Sequence, residues 1–186
     1  MKTIEYRDGV LWLLDQTRLP RETVFLECRT HTQVADAIYR LSVRGAPAIG
    51  VAAAHGVVLA ARELRDRGSS SVDPSGPLHG AIDELRRTRP TAVNLAWALR
   101  RMEDVVRRGA GSDLPALIHG LEREAGRIFR EEETASASMA RFGAELIPEG
   151  ASVLTHCNTG ALAAGGRGTA LAAIREAHDQ GKRIHV

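Results

Sequence analysis

Residues 154–160 combine a cysteine with several polar side chains that could take part in catalysis. They read LTHCNTG, with Cys157 at the centre, and they follow a short run of strand-forming residues. Ligands of open α/β sheets bind beyond the carboxyl ends of the strands, which is where this segment is expected to lie. A lone cysteine can equally be an inert core residue, so the residues alone leave both interpretations open.

Metal binding is not expected at this segment. Neighbouring side chains of an extended strand point to opposite sides, so His156 and Cys157 would offer an ion no shared face. The glycine-rich stretch at 160–168 would instead allow the backbone to come close to an organic ligand.

A second candidate is the RGAPAIG stretch at residues 44–50. Gly45 permits a close backbone approach just before a predicted helix, whose first turn offers unpaired N–H groups and a positive dipole end. Arg44 adds a planar guanidinium that can hold a phosphate with two hydrogen bonds. The same residues could also simply turn one helix into the next, with Arg44 in solvent.

A third candidate is Arg89, which stands immediately before Pro90 and a predicted helix. An arginine at a helix start can bind an anion, but it can also be an ordinary surface charge beside a capped helix. The spacing of these residues does not decide between the two interpretations.

Charge and cysteine content limit the classes of protein to consider. The chain has 186 residues, with 25 Lys and Arg against 23 Asp and Glu, and its formal net charge is +2. This balance does not favour a nucleic-acid partner. Two cysteines far apart in sequence suggest neither a disulfide framework nor a four-cysteine zinc site. A reducing cytoplasm is therefore the expected location.

Export and membrane insertion are not expected either. The first nine residues contain charges throughout, unlike the apolar run of a signal peptide. The most apolar stretch, residues 46–61, is shorter than the roughly 20 residues of a spanning helix, and it contains His55. We expect this stretch to be a buried helix and expect no membrane partner.

The N-terminal part of the chain should contain a small sheet followed by helices. Alternating and β-favouring residues predict three strands at 3–6, 10–14 and 23–26. Apolar residues at helical spacing predict helices at 30–41, 48–67, 78–87, 91–108 and 114–142. Thr30 with Gln33 forms a capping-box pattern, and Thr91 and Asp113 are the other predicted caps. Residues 68–77, rich in Ser, Gly and Pro, should be an exposed loop.

The pattern changes near residue 148. A β run at 152–155, a small-residue loop, a helix at 168–180 and another β run at 183–186 predict a β-α-β unit. We therefore divide the chain into an N-terminal strand and helix domain, residues 1–147, and a second unit, residues 148–186. One such unit is not expected to form a complete domain, so the natural protein is expected to continue.

Three motifs together resemble the methylthioribose-1-phosphate isomerase family. They are SVRGAPAIG at residues 42–50, RPTAVNL at 89–95 and THCNTG at 155–160, and their order and spacing match as well. The resemblance covers essentially the whole chain, beginning with YRDG at residues 6–9. It implies an α/β fold: a small N-terminal β-meander plus a helical bundle, followed by the beginning of a Rossmann-like parallel α/β domain.

The resemblance also implies a function. Members of this family convert 5-methylthioribose 1-phosphate to 5-methylthioribulose 1-phosphate in methionine salvage, usually as homodimers, without a metal or an organic cofactor. By matching positions, the catalytic cysteine is Cys157, and the substrate-binding residues are Arg44, Gly45, Ala46 and Arg89. The aspartate that serves as the partner of the cysteine would lie past Val186, so we expect the 186-residue chain alone to be inactive.

Two related functions remain open. A ribose-1,5-bisphosphate isomerase shares this fold and mechanism, and it would offer a cationic rather than an apolar environment to the substrate's 5-position. Regulatory subunits of a translation-initiation exchange factor share the architecture, bind a protein partner and have no activity. Cys157 in its THCN setting argues against the second alternative.

Overall fold

A computed structural model describes residues 3–68 and 73–186. The strands are β1 (Ile4–Arg7), β2 (Val10–Leu14) and β3 (Phe25–Cys28). The helices are α1 (His31–Tyr39), α2 (Ala46–Asp66), α3 (Ser75–Thr88), α4 (Val93–Arg108), α5 (Leu114–Leu146), α6 (Ala161–Ala164) and α7 (Ala170–Asp179). The predicted α/β fold class is confirmed.

The three strands form the predicted antiparallel meander in the order β1-β2-β3. Asp8 and Gly9 connect β1 to β2 with φ angles of 53° and 77°. Positive φ at both central residues is the signature of the two-residue hairpin turn whose twist matches that of paired strands. The third strand begins at Phe25, two residues later than the sequence pattern predicts.

The first two helices also follow the prediction. Thr30 caps α1, and its side chain and that of Gln33 form both bonds of the capping box. Helix α2 has the length and hydropathy of a membrane span, but 78% of that window is buried inside the fold. It is therefore the central core helix, as its alanine-rich apolar sequence predicts.

The next three predicted helices are present, but their ends differ from the predicted ends. Asp113 caps α5 by accepting a hydrogen bond from the Ala116 N–H, as predicted. The predicted cap Thr91 is wrong: the N–H of Ala92 donates to the Arg89 carbonyl in a separate turn, so α4 begins only after Ala92. The predicted loop at 68–77 is shorter because α3 already begins at Ser75, and residues 69–72 lie outside the described residues.

Of the β-α-β unit predicted after residue 148, the helix is present, but the two strands are reduced to a single bridge. The predicted strands at 152–155 and 183–186 meet in one parallel bridge, between Ser152 and His185. A strand exists only where a ladder forms, and these segments share a single bridge. Helix α7 lies between them as predicted, and the short α6 was not foreseen. The division of the chain at residue 147 remains a prediction.

The hydrophobic core is concentrated in the first two thirds of the chain. Its main cluster contains residues from Ile4 to Ile128, and its largest fully buried side chains are Leu, Ile and Met. Helix α5 continues past this cluster to α7, where a Cβ on Gly143 would lie 2.5 Å from Cβ of Ala173. The RGAP corner (residues 44–47) is thus attached to one packing region, and the cysteine loop (residues 154–160) to another.

Candidate functional site

The RGAP corner lies at the first turn of α2. Gly45 is the N-cap residue, with φ 103° and ψ 137°, and no side chain caps the helix. Pro47 lies in the first turn and has no N–H to be satisfied. The remaining N–H groups of that turn have no partner inside the helix, so together with the helix dipole they can hold an anion.

Gly45 is in direct contact with the segment that follows the cysteine loop. A Cβ at this position would lie 2.6 Å from Cβ of Ala163, and the positive φ is itself unfavourable for other residues. Both the space and the backbone conformation therefore require glycine. The contact brings α6 against the start of α2.

Gln16 joins the same two segments through hydrogen bonds. Its side chain is 7% exposed, and Nε2 donates to the carbonyl oxygens of Leu162, at 2.8 Å, and Arg44, at 3.4 Å. Sequence analysis missed this residue, because a backbone carbonyl partner leaves no signal in the sequence. We assign Gln16 a positioning role.

The two candidate arginines have free guanidinium groups. Arg44 is exposed, and no described residue forms an ion pair with it. Arg89 is half-buried, and the other half-buried arginines of the described ranges, Arg62, Arg86 and Arg101, all pair with carboxylates. Arg89 alone of these four remains available for an external anion.

The segment containing Arg89 reaches the same helix start. A Cβ on Gly50 would lie 2.9 Å from the carbonyl oxygen of Asn94, so the first turns of α2 and α4 are in close contact. Since α4 begins four residues after Arg89, the second and first motifs converge on one end of α2.

The cysteine loop is fixed at its C-terminal end, and its two threonine hydroxyls, of Thr155 and Thr159, lie 3.2 Å apart. The Thr159 carbonyl accepts from the Thr169 N–H at 2.8 Å, and Thr159 Oγ1 accepts from the Leu171 N–H at 3.2 Å. Cys157 itself is exposed and has a φ of 67°. A residue other than glycine in this conformation is uncommon and costs about 1–2 kcal/mol.

The conformation of this loop corrects one argument made from the sequence. The loop is not an extended strand, so the expected opposite directions of His156 and Cys157 do not follow from it. Among residues 3–68 and 73–186, no group of three or more His, Cys, Asp or Glu side chains lies close enough together to hold a metal ion.

The structure thus brings the segments that carry the three motifs to one end of α2. The RGAP corner contacts α6, whose N-cap Gly160 ends the cysteine loop, and the start of α4 packs beside it. The helix start can hold an anionic group, and the loop that carries Cys157 ends at α6, the helix that contacts this start. The assignments of Arg44, Gly45, Ala46, Arg89 and Cys157 remain predictions.

The chain is similar to one protein family and to several enzymes that share one name. The model of the initiation factor 2 subunit family matches residues 42–186. A methylthioribose-1-phosphate isomerase of Pelotomaculum thermopropionicum is 54% identical over 179 residues, covering 96% of this chain and 49% of that protein. The enzyme of the same name from Geobacter metallireducens is 50% identical, covering 100% and 53%. The chain spans about half the length of these relatives.

Two solved structures resemble the fold closely. The 5-methylthioribose 1-phosphate isomerase of Pyrococcus horikoshii matches with a TM-score of 0.86 and 36% identity, over 97% of this chain and 50% of that one. The delta subunit of translation initiation factor eIF-2B from A. fulgidus matches with a TM-score of 0.83 and 39% identity, over 99% and 53%.

Proposed function

The chain belongs to the initiation factor 2 subunit family, and from that membership we propose that its protein isomerises 5-methylthioribose 1-phosphate to 5-methylthioribulose 1-phosphate. The observation that supports this proposal is the contact between Gly45 and Ala163, which brings the helix after the cysteine loop against the RGAP corner. The names of the relatives at 50% and 54% identity support it. We propose that this reaction is a step of methionine salvage.

The chemistry requires an anion site beside a proton-transferring group. The substrate carries its phosphate on C1, so its ring does not open spontaneously as that of a free sugar does. In the reaction the bond from C1 to the ring oxygen breaks and a hydrogen moves from C2 to C1. The C2 hydroxyl gives up its proton and becomes a carbonyl, and the ring oxygen takes up a proton and becomes a hydroxyl. The site must therefore hold the phosphate while it exchanges protons with the ring.

The proposed residues divide these tasks. Arg44 and Arg89, with the backbone of Gly45 and Ala46, bind the phosphate, since their charges are free of protein carboxylates. Cys157 stabilises the transition state or relays a proton, and an aspartate carried by any continuation of the chain is its partner. No metal or organic cofactor is required for these steps.

The same proposal includes the location and the assembly. Both cysteines are free thiols, Cys28 buried and Cys157 exposed, as a cytoplasmic protein would keep them. We propose a cytoplasmic homodimer that acts on a small sugar phosphate, with no nucleic-acid partner.

A turnover assay with 5-methylthioribose 1-phosphate tests the proposal. It uses the 186-residue chain and the protein with any continuation that its gene encodes, each as wild type, Cys157→Ala and Cys28→Ala. Cys28 is the matched control because it is buried, and burial, with a smaller effect of Asp36, raises the pKa of its thiol to about 11. We expect activity in the continued protein only, lost with Cys157→Ala and kept with Cys28→Ala.

Two other outcomes would replace the proposal. Turnover of ribose 1,5-bisphosphate but not of the methylthio sugar would identify the bisphosphate isomerase. The likeness to an eIF-2B subunit favours a second candidate, a regulatory relative without activity. Absence of turnover with both sugars, together with stable binding of a protein partner, would identify that relative.

A further inference from the structure

A small cavity lies directly beside the proposed anion site. It has a volume of about 220 Å³, is partly open to solvent, and is lined by the first two turns of α2 and α4 and the middle of α5. Its walls include Pro47, Gly50, Asn94, Trp97, Ile128 and Glu132. This volume is far above the roughly 10–15 Å³ that one water needs. Its apolar walls and few polar groups resemble the lining of a small-molecule site, and its volume, below the roughly 300 Å³ of a whole site, suits one part of a ligand.

Glu132 is the polar group of this cavity that the fold does not use. Its Oε1 atom is buried and has no hydrogen-bond partner among the described residues. Burial raises the pKa of its carboxyl. A buried polar atom without a partner costs free energy, so a fold that keeps one calls for an explanation other than packing.

Two other acidic residues of the same helix, Glu124 and Glu131, are in contrast paired, and Glu131 also lines the cavity. Glu131 binds the Arg101 guanidinium, with a distance of 3.1 Å from Oε1 to NH2. Glu124 accepts from Arg101 Nε at 2.6 Å and also pairs with Arg127. These carboxylates are satisfied by protein cations, and Glu132 is left facing the cavity.

We propose that Glu132 is a substrate-binding residue whose carboxyl hydrogen-bonds a ribose hydroxyl of the sugar phosphate. The inference rests on the proposed function and extends it to a residue outside the three motifs. The cavity adjoins the anion site because α2 and α4 begin directly after the segments that carry Arg44 and Arg89. A sugar whose phosphate lies at that helix end can place its ring against this cavity.

The chemistry of a carboxyl group selects a hydroxyl over other ligands. A carboxylate repels a phosphate, which the free arginines attract instead. A protonated carboxyl can donate one hydrogen bond and accept another, which complements a hydroxyl. A cation is not favoured, because no group of three or more ligating side chains is present in the described parts of the chain.

The test compares Glu132→Leu and Glu132→Gln with Glu133→Leu in the protein with any continuation that its gene encodes. Glu133 is the exposed neighbour on the same helix and serves as the matched control. For Glu132→Leu we expect kcat/KM for 5-methylthioribose 1-phosphate to fall about 10- to 100-fold. We expect Glu132→Gln, which can still hydrogen-bond, to retain part of the activity and Glu133→Leu to retain all of it.

Thermal stability separates binding from a structural role. The Glu132→Leu substitution removes an unpaired polar atom from an apolar environment, so we expect the Tm of this variant to equal or exceed that of the wild type. A lower Tm would assign Glu132 to the structure and overturn the inference. Unchanged kcat/KM in a folded Glu132→Leu variant would overturn it as well.

A binding measurement keeps this inference separate from the proposed function. If the wild type turns over no substrate, the isomerase proposal fails, and calorimetry with ribose 1-phosphate then decides the role of Glu132. Tighter binding by the wild type than by Glu132→Leu would support the inference. Equal affinities, or no binding by either protein, would overturn it.

Discussion

The main core and the C-terminal part of the chain are packed with different side chains. The main cluster extends from Ile4 to Ile128 and contains large buried Leu, Ile and Met residues. Beyond it, the described buried apolar residues are all alanines except Ile174. Because the free energy of burial scales with apolar area, the second region is held far more weakly. The proposed site lies across both regions, with its arginines on the first and Cys157 on the second.

The weaker packing of the second region indicates which part of the site should move. Local opening of a protein begins where few apolar contacts hold the backbone. The cysteine segment can therefore separate from the RGAP corner while the main core stays folded. The anion-holding residues would remain in place during such an opening.

The largest change that we expect is the loss of unfolding free energy when a buried isoleucine is truncated in each region. Ile82 in α3 is 0% exposed and Ile174 in α7 is 6% exposed. We expect Ile82→Ala to lower the free energy of unfolding by about 3–4 kcal/mol and Ile174→Ala by about 2 kcal/mol or less. Urea denaturation of the two variants measures both values. Equal losses would remove the distinction between the two regions.

The second prediction concerns the contact between the two regions, which Gly45 and Ala163 form. Gly45→Ala adds a methyl group against Ala163 at a residue with φ 103°, so we expect a loss of about 2–3 kcal/mol. Gly80→Ala is the matched control, because a Cβ there meets nothing within 4 Å. Hydrogen exchange should show loss of protection in α6 and α7 and little change in α2. Uniform loss of protection would instead mean that the two regions unfold together.

The third effect compares two residues with similar strained backbones. Cys157 and Leu41 have φ angles of 67° and 65°, one in each region. Glycine adopts this conformation without strain, so we expect Cys157→Gly and Leu41→Gly each to gain about 1 kcal/mol of stability. Turnover should be lost only in Cys157→Gly. Such a pair of results would show that strain at Cys157 is retained for function.

The smallest effect is a pH dependence that belongs to the main core. His55 is buried, and burial lowers its pKa, although its Nδ1–H donates to the Val51 carbonyl at 2.9 Å. The unfolded chain then binds a proton that the folded chain does not, so stability is full above about pH 6.5 and falls as the pH decreases below it. We expect the Tm of His55→Phe to fall less than that of the wild type between pH 7.5 and pH 5.

The control for this comparison is His119→Gln, on an exposed face of α5. It should show the same decrease of Tm with pH as the wild type. If His55→Phe and the wild type also show equal decreases, His55 does not contribute to the acid sensitivity of the core.

The sequence allowed local structure to be predicted better than contacts between distant segments. The Thr30 and Gln33 capping box and the Asp113 cap depend on residues within one turn, so their pattern is visible in the sequence. The strand predicted at 152–155 is reduced to a single bridge, between Ser152 and His185, because the extent of a strand depends on its partner and not on its own sequence. Thr91 was misplaced because the turn closed by Ala92 and Arg89 precedes the helix.

The candidate site shows the same limit. The motifs could be recognised, but not the contacts that unite them. A glycine such as Gly45 reveals that a close approach is possible and not which segment approaches. Gln16 binds backbone carbonyls 28 and 146 residues away, which any residue type could supply. The unpaired carboxyl of Glu132 follows from burial, and its sequence context is an ordinary run of charged helix residues.

Helix α5 has a mechanical consequence for the site. With 33 residues and a rise of 1.5 Å per residue, it is about 50 Å long. Ser136 lies about 33 Å along the helix, so a tilt of about one degree around the first turn would displace this residue by about 0.6 Å. Ser136, on the far half of the helix, holds the carbonyl of Gly168 near the cysteine loop. The accuracy with which the core fixes the direction of α5 therefore limits the accuracy with which the Cys157 thiol is positioned.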